Sequence, residues 1–349
     1  MKIKINKKIT ISPNNPPIIV AEISGNHGGK KSLFLKHIKI AAKYGADMIK
    51  IQSYEPEDIT INKKNNNFRI KQGIWKGKYL WNLYEEAHTP FSWHREAFKL
   101  AKKLGIILFS TPFSNRAVDF LEKLKVPIYK ISSFEITDVK LVDCIAKTKK
   151  PVIISTGMAS IKEIQVAIKI IRKYHSKIII LYCVSGYPTP EDQANIINLK
   201  NFKNKFKNSI IGISDHTNDI NSSLAATALG ASVIEKHFKI SRKLKSPDSK
   251  FSITPEQLKQ LKNQSLKIFK SLGKKIFNGK KNIEKNSLKL RRSIYATKDI
   301  KKNEKLSKYN ISTYRPKIGL DAKYYFNILG KKTNKNIYKF SPIYIKNLK

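Results

Sequence analysis

The sequence predicts an α/β protein in which a closed (β/α)8 TIM barrel is followed by a small, mostly β domain. Short apolar runs rich in β-branched residues recur eight times before residue 240, and segments with helical spacing of apolar residues separate them. A helix between consecutive strands forces parallel pairing through right-handed crossovers. Eight such units over about 270 residues fit a barrel of ordinary size. The pattern then changes to short strands and turns after about residue 275.

The eight predicted strands are 18–24, 47–52, 107–113, 128–133, 151–156, 177–183, 209–216 and 232–238. Clear helical patterns occupy 33–44, 93–104, 117–124 and 224–229. An open, doubly wound sheet is the alternative, but no Gly-x-Gly-x-x-Gly motif follows the first strand to support it. The stretch 53–92 is longer than one helix requires, so we expect an elaborated loop there.

These patterns divide the chain into a catalytic barrel (1–273), a linker (274–288) and a small domain (289–349). The linker begins with the basic stretch 274–281. Two cysteines are too few for a disulfide framework or a Cys-rich zinc site. The basic start is followed by no apolar signal-peptide core, and no apolar run approaches the length of a membrane helix. We therefore expect a soluble cytoplasmic protein.

The formal net charge is +44, from 69 Lys and Arg against 25 Asp and Glu. Only eight of the 69 are Arg, and the Lys residues are spread along the whole chain. Proteins that read bases or grip phosphates favour Arg. We interpret the charge as a solvated, compositionally biased surface that could attract small anions, and we expect neither nucleic acid nor a membrane as a partner. A nucleic-acid-binding protein on a barrel scaffold is the alternative from another functional class.

Polar and charged residues gather at the carboxyl ends of all eight predicted strands. In a barrel, these ends and the loops after them build the active site. Side chains two residues apart share one face of a strand, so three pairs are predicted to point into the same mouth: Lys50 with Gln52, Ser214 with His216, and Glu235 with His237. Lys50 and Lys130, surrounded by Ser and Thr hydroxyls, suit a small phosphorylated anion.

Two histidines are candidate metal ligands. His216 and His237 lie 21 residues apart, which is one strand–helix–strand unit and places them on adjacent strands. Two imidazoles with carboxylates and water suit a divalent first-row ion such as Mn²⁺ or Zn²⁺. His27, which follows the first strand, is open to three interpretations: metal ligand, substrate contact or loop residue.

Seven motifs in one order resemble the sialic acid synthase family: Ala21-Glu-Ile-Ser-Gly-Asn-His, Lys50-Ile-Gln, Ser110-Thr-Pro-Phe, Ser155-Thr-Gly-Met, Tyr187-Pro-Thr-Pro, Ser214-Asp-His-Thr and Ile234-Glu-Lys-His-Phe. The tail from about residue 290 resembles that family's antifreeze-like (SAF) domain. Three further stretches resemble its pseudaminic acid synthase branch: Leu80-Trp-Asn-Leu-Tyr-Glu-Glu-Ala-His-Thr-Pro, Ser132-Ser-Phe-Glu-Ile-Thr-Asp and Pro247-Asp-Ser-Lys-Phe-Ser. The neuraminate and legionaminate synthases tend to carry Gly in place of Phe134 and His in place of Ser249.

The resemblance implies a transferase that condenses phosphoenolpyruvate with an open-chain N-acetylated amino sugar and releases phosphate and a nine-carbon 2-keto acid. The branch implies 2,4-diacetamido-2,4,6-trideoxy-L-altrose as the sugar. It also implies a domain-swapped homodimer in which Arg315 acts in trans on the acetamido group. A neuraminate or legionaminate synthase is the alternative within the family, and a Schiff-base aldolase using Lys130 or Lys50 is the alternative outside it.

Matching the family's motifs residue by residue implies roles for individual side chains. The phosphoenolpyruvate ligands would be Lys50, Thr111, Lys130, Ser133, Ser155, Ser185 and Ser214. The sugar and the proton transfers would involve Glu22, Gln52, Glu135, Tyr187 and Asp248, with Asn26, His27 and Phe134 as further sugar contacts. His216 and His237 would hold Mn²⁺, or alternatively Mg²⁺ or Co²⁺. The chain departs from the family pattern at Val184, Asn218, Asp219 and Ser246, which puts the shape of nearby loops in doubt.

Overall fold

A computed structural model describes residues 1–273 and 282–349, which form parts of two compact units, Met1–Gly273 and Lys274–Lys349. The first part of the predicted linker, 274–281, lies outside the described residues. The rest of it forms a 3-10 turn, Asn282–Glu284, and the short helix α10, Lys285–Leu288. Among the described residues, no helix is long and apolar enough to cross a membrane.

The first unit is a closed barrel of eight parallel strands in which the last strand pairs with the first. All eight predicted strands are present, and the predicted fold class is confirmed. In chain order they are β3 (Ile18–Glu22), β4 (Met48–Ser53), β5 (Ile107–Pro112), β6 (Tyr129–Ile131), β7 (Val152–Ser155), β8 (Ile178–Tyr182), β9 (Ile210–Asp215) and β10 (Val233–His237). Before them, β1 (Ile3–Lys4) and β2 (Thr10–Ile11) form an antiparallel hairpin that the sequence analysis did not predict.

The helices of this unit are α1 (Lys31–Lys43), α2 (Leu80–Ala87), α3 (Phe91–Leu104), α4 (Asn115–Lys123), α5 (Val139–Lys147), α6 (Ile161–Arg172), α7 (Asn198–Lys205), α8 (Asn221–Ala228) and α9 (Pro255–Leu272). Side chains fix several of their starts. Ser160 and Glu163 form a reciprocal capping box at α6, and Thr254 and Gln257 do the same at α9. The predicted elaborated loop contains two 3-10 turns, Pro56–Asp58 and Asn66–Phe68, and then α2.

The strands bury both faces. Outward-facing residues such as Ile19, Ile49 and Ile154 pack with the apolar faces of the helices in one large core. A second core fills the amino-terminal half of the barrel interior; its members are Val20, Met48, Ile107, Phe109, Ile128, Ile153, Ile179, Leu181, Ile210 and Val233, with Ile3 and Ile11 from the hairpin. The hairpin therefore packs against the amino-terminal end of the barrel, and the site must be built at the opposite end.

The second unit has its own apolar core, formed by Ile294, Ala296, Ile300, Leu306, Ile311, Ile328, Ile337 and Ile343. Strands β11 (Ser293–Ala296) and β12 (Ile311–Tyr314) pair antiparallel, and isolated β-bridges tie the following segments to them. A single helical turn, α11 (Tyr325–Ile328), completes this small, mostly β fold.

Candidate active site

Charged side chains occupy the strand positions immediately above the apolar interior. Glu22, Lys50 and Glu235 each follow an inward-facing apolar residue by two positions, so the strand alternation points them into the barrel. Lys130 joins them from β6, and all four are buried. Isolated buried charges are costly, so they must compensate one another.

The four charges form one network. The Lys50 ammonium lies 2.5 Å from Oε2 of Glu22 and 3.8 Å from Oε1 of Glu235. Lys130 lies 3.7 Å from the same Glu235 oxygen. The Ser214 hydroxyl donates to that oxygen at 3.0 Å, and Lys50 donates to the Thr111 hydroxyl at 3.3 Å. Glu235, which was predicted to point into the mouth but was given no role there, is therefore the centre that joins the two lysines.

Burial and mutual charge displace the pKa values of this network. Burial raises the pKa of Glu22 to about 7 although Lys50 opposes the shift. Burial lowers the pKa of Lys130, and it acts in the same direction on Lys50, but Glu22 and Glu235 outweigh it and hold the pKa of Lys50 above its usual value. Among the described residues, Oε1 of Glu22 and Oε2 of Glu235 find no hydrogen-bond donor, so both carboxylates keep an unused acceptor inside the barrel.

A tight cradle of small residues adjoins the lysines. The hydroxyls of Ser133 and Ser185, from the loops after β6 and β8, lie 2.9 Å apart. Between them passes Gly157 with φ of +47°, where an added Cβ would approach the Ser133 Cβ and the Ser185 Oγ to 2.4 Å. Only glycine permits this close approach of backbone and hydroxyls. The buried Ser155 ends the strand below, and serine hydroxyls beside a closely approaching backbone are the kind of donors that bind phosphate groups.

His216 and His237 face each other at this end of the barrel, with ring centroids 5.6 Å apart. Nδ1 of His216 lies 2.7 Å from the Val184 carbonyl, and since a carbonyl only accepts, that nitrogen donates and Nε2 keeps its lone pair. Nδ1 of His237 is buried and has no partner among the described residues. Burial lowers the pKa of both imidazoles, to about 4 for His216, so both are neutral, as metal ligands must be.

Two neutral imidazoles that face each other suit a divalent metal ion. The described residues contain no group of three or more His, Cys, Asp or Glu side chains arranged to hold a metal ion. Two neutral imidazoles alone leave most coordination positions to water and substrate, which is the arrangement of catalytic rather than structural sites.

Next to the histidines lies a cavity of about 470 Å³. It brings together five predicted site residues, Gln52, Phe134, Glu135, Tyr187 and Asp248, with His237. Much of its remaining wall is apolar or aromatic and comes from the long loop and α2: Tyr54, Ile59, Ile70, Trp75, Leu80, Leu83, Tyr84 and Ala87. The sequence analysis assigned no role to Trp75, whose indole donates to the Pro247 carbonyl at 3.0 Å and packs against Tyr187 and Phe251.

Two carboxyl groups face this cavity. Burial raises the pKa of Glu135 to about 7, and Ser132 donates a hydrogen bond to its Oε2. Asp248 is buried and accepts from the Gly25 amide at 2.9 Å; burial raises its pKa as well. A mostly apolar cavity with a few convergent polar groups suits a small, partly hydroxylated substrate.

Asn26 and His27 do not line the cavity. Asn26 donates to the Phe238 carbonyl and to Ser252, and it accepts from Ser246. His27 contacts Thr89 through Nε2 and accepts from the Gly29 amide through Nδ1. Both side chains have their polar atoms occupied by protein partners, which hold the surrounding loops in place. Their contacts with the sugar stay a prediction.

Three of the four departures from the family pattern, Ser246, Asp219 and Val184, make local contacts. The Ser246 hydroxyl donates a hydrogen bond to Oδ1 of Asn26. The Asp219 carboxylate accepts a hydrogen bond from the backbone amide of Asn221 at the start of α8. Val184 contacts His216 through its backbone carbonyl, so the Val184 side chain is not required for that contact.

Arg315, in the second unit, is exposed.

Comparison with known proteins places this site in a family. Residues 37–277 match the model of the NeuB family, and residues 291–349 match the SAF domain. The chain is 42% identical over 323 residues to the pseudaminic acid synthase of Campylobacter jejuni strain 81-176, covering 91% of this chain and 93% of that protein. It is 39% identical to an N,N'-diacetyllegionaminic acid synthase of Campylobacter jejuni, covering 91% and 96%.

A solved structure agrees with the match to the NeuB family. The crystal structure of an N-acetylneuraminic acid synthetase from Leptospira borgpetersenii in complex with citrate superposes with a TM-score of 0.74 at 33% identity, covering 82% of this chain and 95% of that one. The family match spans most of the barrel. Six of the seven ordered motifs, three members of the charged layer (Lys50, Lys130 and Glu235) and the two histidines lie within it, whereas the first motif and Glu22 precede it. The chain belongs to the NeuB family and ends in a SAF domain.

Proposed function

We propose that this protein condenses phosphoenolpyruvate with 2,4-diacetamido-2,4,6-trideoxy-L-altrose to form pseudaminic acid and inorganic phosphate. The observation that carries the proposal is the direct adjacency of three parts: the charged layer of Glu22, Lys50, Lys130 and Glu235 with its serine cradle, two neutral histidines, and a cavity lined by the residues that the branch motifs supply. Relatives named as pseudaminic acid synthases, at 39–42% identity over more than nine tenths of the chain, support the choice of sugar.

Phosphoenolpyruvate binds at the charged layer. Its phosphate enters the cradle of Ser133, Ser155, Ser185 and Gly157, where hydroxyls donate directed hydrogen bonds. Lys50 and Lys130 neutralise the substrate's charges, with Thr111 and Ser214 as nearby donors. Both lysines already face the Glu235 carboxylate, whose charge acts to raise the pKa of each and which holds them near one point before an anion arrives.

His216 and His237 would hold the divalent ion, for which Mn²⁺ is our first choice and Mg²⁺ or Co²⁺ are alternatives. When bound there, such an ion supplies Lewis-acid polarisation of the sugar aldehyde. The protein's own contribution is to keep both imidazoles neutral by burial and to orient His216 through the Val184 carbonyl.

The carbon–carbon bond forms when C3 of phosphoenolpyruvate attacks the aldehyde carbon. The π electrons of the aldehyde move to its oxygen, which takes up a proton and becomes a hydroxyl, and C2 becomes electron-deficient. Water then adds to C2 and must lose a proton. Glu22 is placed to accept it, because one oxygen has no hydrogen-bond donor and its pKa lies near neutrality, where a general base is most effective. The resulting tetrahedral carbon expels phosphate with both electrons of the bond between C2 and the bridging oxygen. The remaining C2 hydroxyl gives up its proton to the departing phosphate, which leaves the 2-keto group.

The sugar occupies the adjoining cavity. Gln52, Glu135, Tyr187 and Asp248 supply its polar contacts, and Phe134 adds an apolar surface for the methyl end of a 6-deoxy sugar. One such contact is worth about 1–3 kcal/mol in discrimination. Exchange of Phe134→Gly therefore relaxes the preference for the 6-deoxy sugar over N-acetylmannosamine by about tenfold. An unchanged kcat/KM ratio would argue against this role.

We also propose a domain-swapped homodimer, in which Arg315 of the partner subunit reaches the sugar's acetamido carbonyl. A guanidinium donates two hydrogen bonds to such an oxygen. The test mixes an Arg315→Ala chain with a His237→Ala chain, each inactive alone. Subunit exchange restores one working site per mixed dimer, and a verified mixed dimer that stays inactive contradicts the role in trans.

The proposed function is tested by phosphate release from phosphoenolpyruvate with a panel of aldehyde sugars. We expect turnover with the diacetamido-trideoxy-altrose and much slower turnover with N-acetylmannosamine or the legionaminate precursor. A preference for either of the latter would make the protein a synthase of that sugar acid instead. Release with no sugar present would contradict a condensation altogether.

A further inference from the structure

One residue in the cavity wall has a backbone conformation that its side chain disfavours. Ser24 has φ of +47°, in the left-handed region that glycine adopts at little cost and other residues avoid. It is buried, lines the cavity, and follows Glu22 by two positions. Strain of this kind persists only where the surroundings impose it, and such residues cluster at functional sites. The Ser24 hydroxyl is therefore expected to provide a contact that a glycine at this position would lack.

Ser24 and Asp248 line the same cavity, and the Ser24 hydroxyl opposes the rise that burial causes in the pKa of the Asp248 carboxyl group. The next residue, Gly25, donates its amide to Oδ2 of the same carboxyl at 2.9 Å. A Cβ at position 25 would lie 3.3 Å from Oδ2 and 3.1 Å from Ala87, so this approach is already close. Two consecutive residues of the turn after β3 therefore hold a side chain that is more than 220 positions away in sequence.

We infer that Ser24 is a positioning residue, which accepts a strained backbone so that its hydroxyl aims the Asp248 carboxylate at the sugar. This inference rests on the proposed function, in which Asp248 contacts the sugar and not phosphoenolpyruvate. The geometry separates the two substrates, because Ser24 and Asp248 line the cavity whereas the lysines and the Gly157 cradle lie in the charged layer.

The test compares two substitutions. Ser24→Ala keeps the strain and removes the hydroxyl, whereas Ser24→Gly removes both. We expect both variants to lose about tenfold to 100-fold in kcat/KM for the sugar, with KM for phosphoenolpyruvate unchanged within twofold. Ser24→Gly should unfold at a temperature no lower than Ser24→Ala. Ser209→Ala is the matched control, since it removes a buried hydroxyl at the start of β9, outside the cavity lining, and should leave both constants unchanged.

A double variant shows whether the residue acts through Asp248. If it does, Ser24→Ala combined with Asp248→Asn is no worse than Asp248→Asn alone. Additive losses, wild-type activity of Ser24→Gly, or a loss confined to KM for phosphoenolpyruvate would overturn the inference. Wild-type protein that turns over none of the sugars would instead refute the proposed function, so the two failures are distinguishable.

Discussion

The two halves of the barrel interior differ in chemistry although the same strands build them. In the amino-terminal half of the interior, called here the lower half, the inward positions of β3, β4 and β10 are Val20, Met48 and Val233. Two residues later, in the carboxyl-terminal or upper half, each of these strands presents a charged side chain. The lower half packs against the hairpin and stabilises the fold through apolar burial. The upper half buries ionised groups that cost free energy unless they are paired. The apolar layer that stabilises the fold and the charged layer of the site are therefore only two residues, about 7 Å, apart along each strand.

The largest expected effect concerns the two histidines of the upper half. Either His216→Ala or His237→Ala should abolish measurable turnover and weaken metal binding, while the barrel stays folded because the lower half is untouched. The same loss should follow excess chelator and be reversed by Mn²⁺. His175→Ala, outside the site, is the control and should remain active. Full activity in chelator, or in either site variant, would contradict metal dependence.

The second prediction concerns the phosphate cradle. Gly157→Ala should raise KM for phosphoenolpyruvate by about 100-fold or more, since its Cβ would collide with Ser133 and Ser185. Gly105→Ala is the matched control: it also has a positive φ, but its nearest neighbour, at 3.5 Å, is the flexible end of Lys8. The control should lose some stability and keep its KM. Equal KM values for the two variants would show that the cradle does not bind the substrate.

The lower half is tested by a change in stability without a change in chemistry. Met48→Ala should reduce the free energy of unfolding by about 2–5 kcal/mol, because Met48 is fully buried in the interior core. The folded variant should keep kcat and both KM values within twofold. Met48→Leu conserves volume and should cost less than about 1.5 kcal/mol. A stable Met48→Ala with impaired turnover would break the separation of the two halves.

The smallest expected effect is on acid stability and concerns a residue outside the barrel interior. His94 is fully buried between α3 and β4, where Nε2 contacts Ser53 at 2.7 Å, and burial lowers its pKa to about 4. Between about pH 6.5 and 4 the unfolded chain binds more protons, so stability is full above 6.5 and falls as the pH drops through this window. The contribution is about 3 kcal/mol at most.

His94→Gln should make the acid loss smaller by up to this amount. Denaturant unfolding of both proteins at pH 7.5 and at pH 5 measures it, with pH 7.5 as the reference for the change in packing. The same pH dependence in both proteins would show that His94 is protonated without penalty in the fold.

The fold was predictable because its signals are local. Eight β-branched runs separated by helical periodicity specify parallel strands, and the polar strand ends locate the mouth. The exceptions depend on contacts across the chain. The hairpin 3–11 has few residues and no strong pattern, and it is stabilised by packing against the barrel interior. Ser24 was expected in a strand, but it begins a 3-10 turn that Asp248 helps to hold.

The site residues that stand in family motifs could be predicted from the sequence. The roles that depend on which side chains pair with one another in the fold were harder to predict. Glu235 carries no special signal in sequence beyond alternation with His237, yet it joins Lys50 and Lys130. Asn26 and His27 stand in a family motif, and only the structure shows that their polar atoms are engaged by Ser252 and Thr89. Trp75 joins the cavity from a loop whose course no periodicity indicates.

The central claim is that the charged upper half directs water to C2 of phosphoenolpyruvate, so that phosphate leaves by cleavage of the C2–O bond. Phosphoenolpyruvate labelled with ¹⁸O in its bridging oxygen tests this most directly, with mass spectrometry of both products. The account predicts that the label is recovered in the released phosphate. Label retained in the 2-keto acid would mean that water attacks phosphorus, and would contradict the role assigned to Glu22 and its lysine partners.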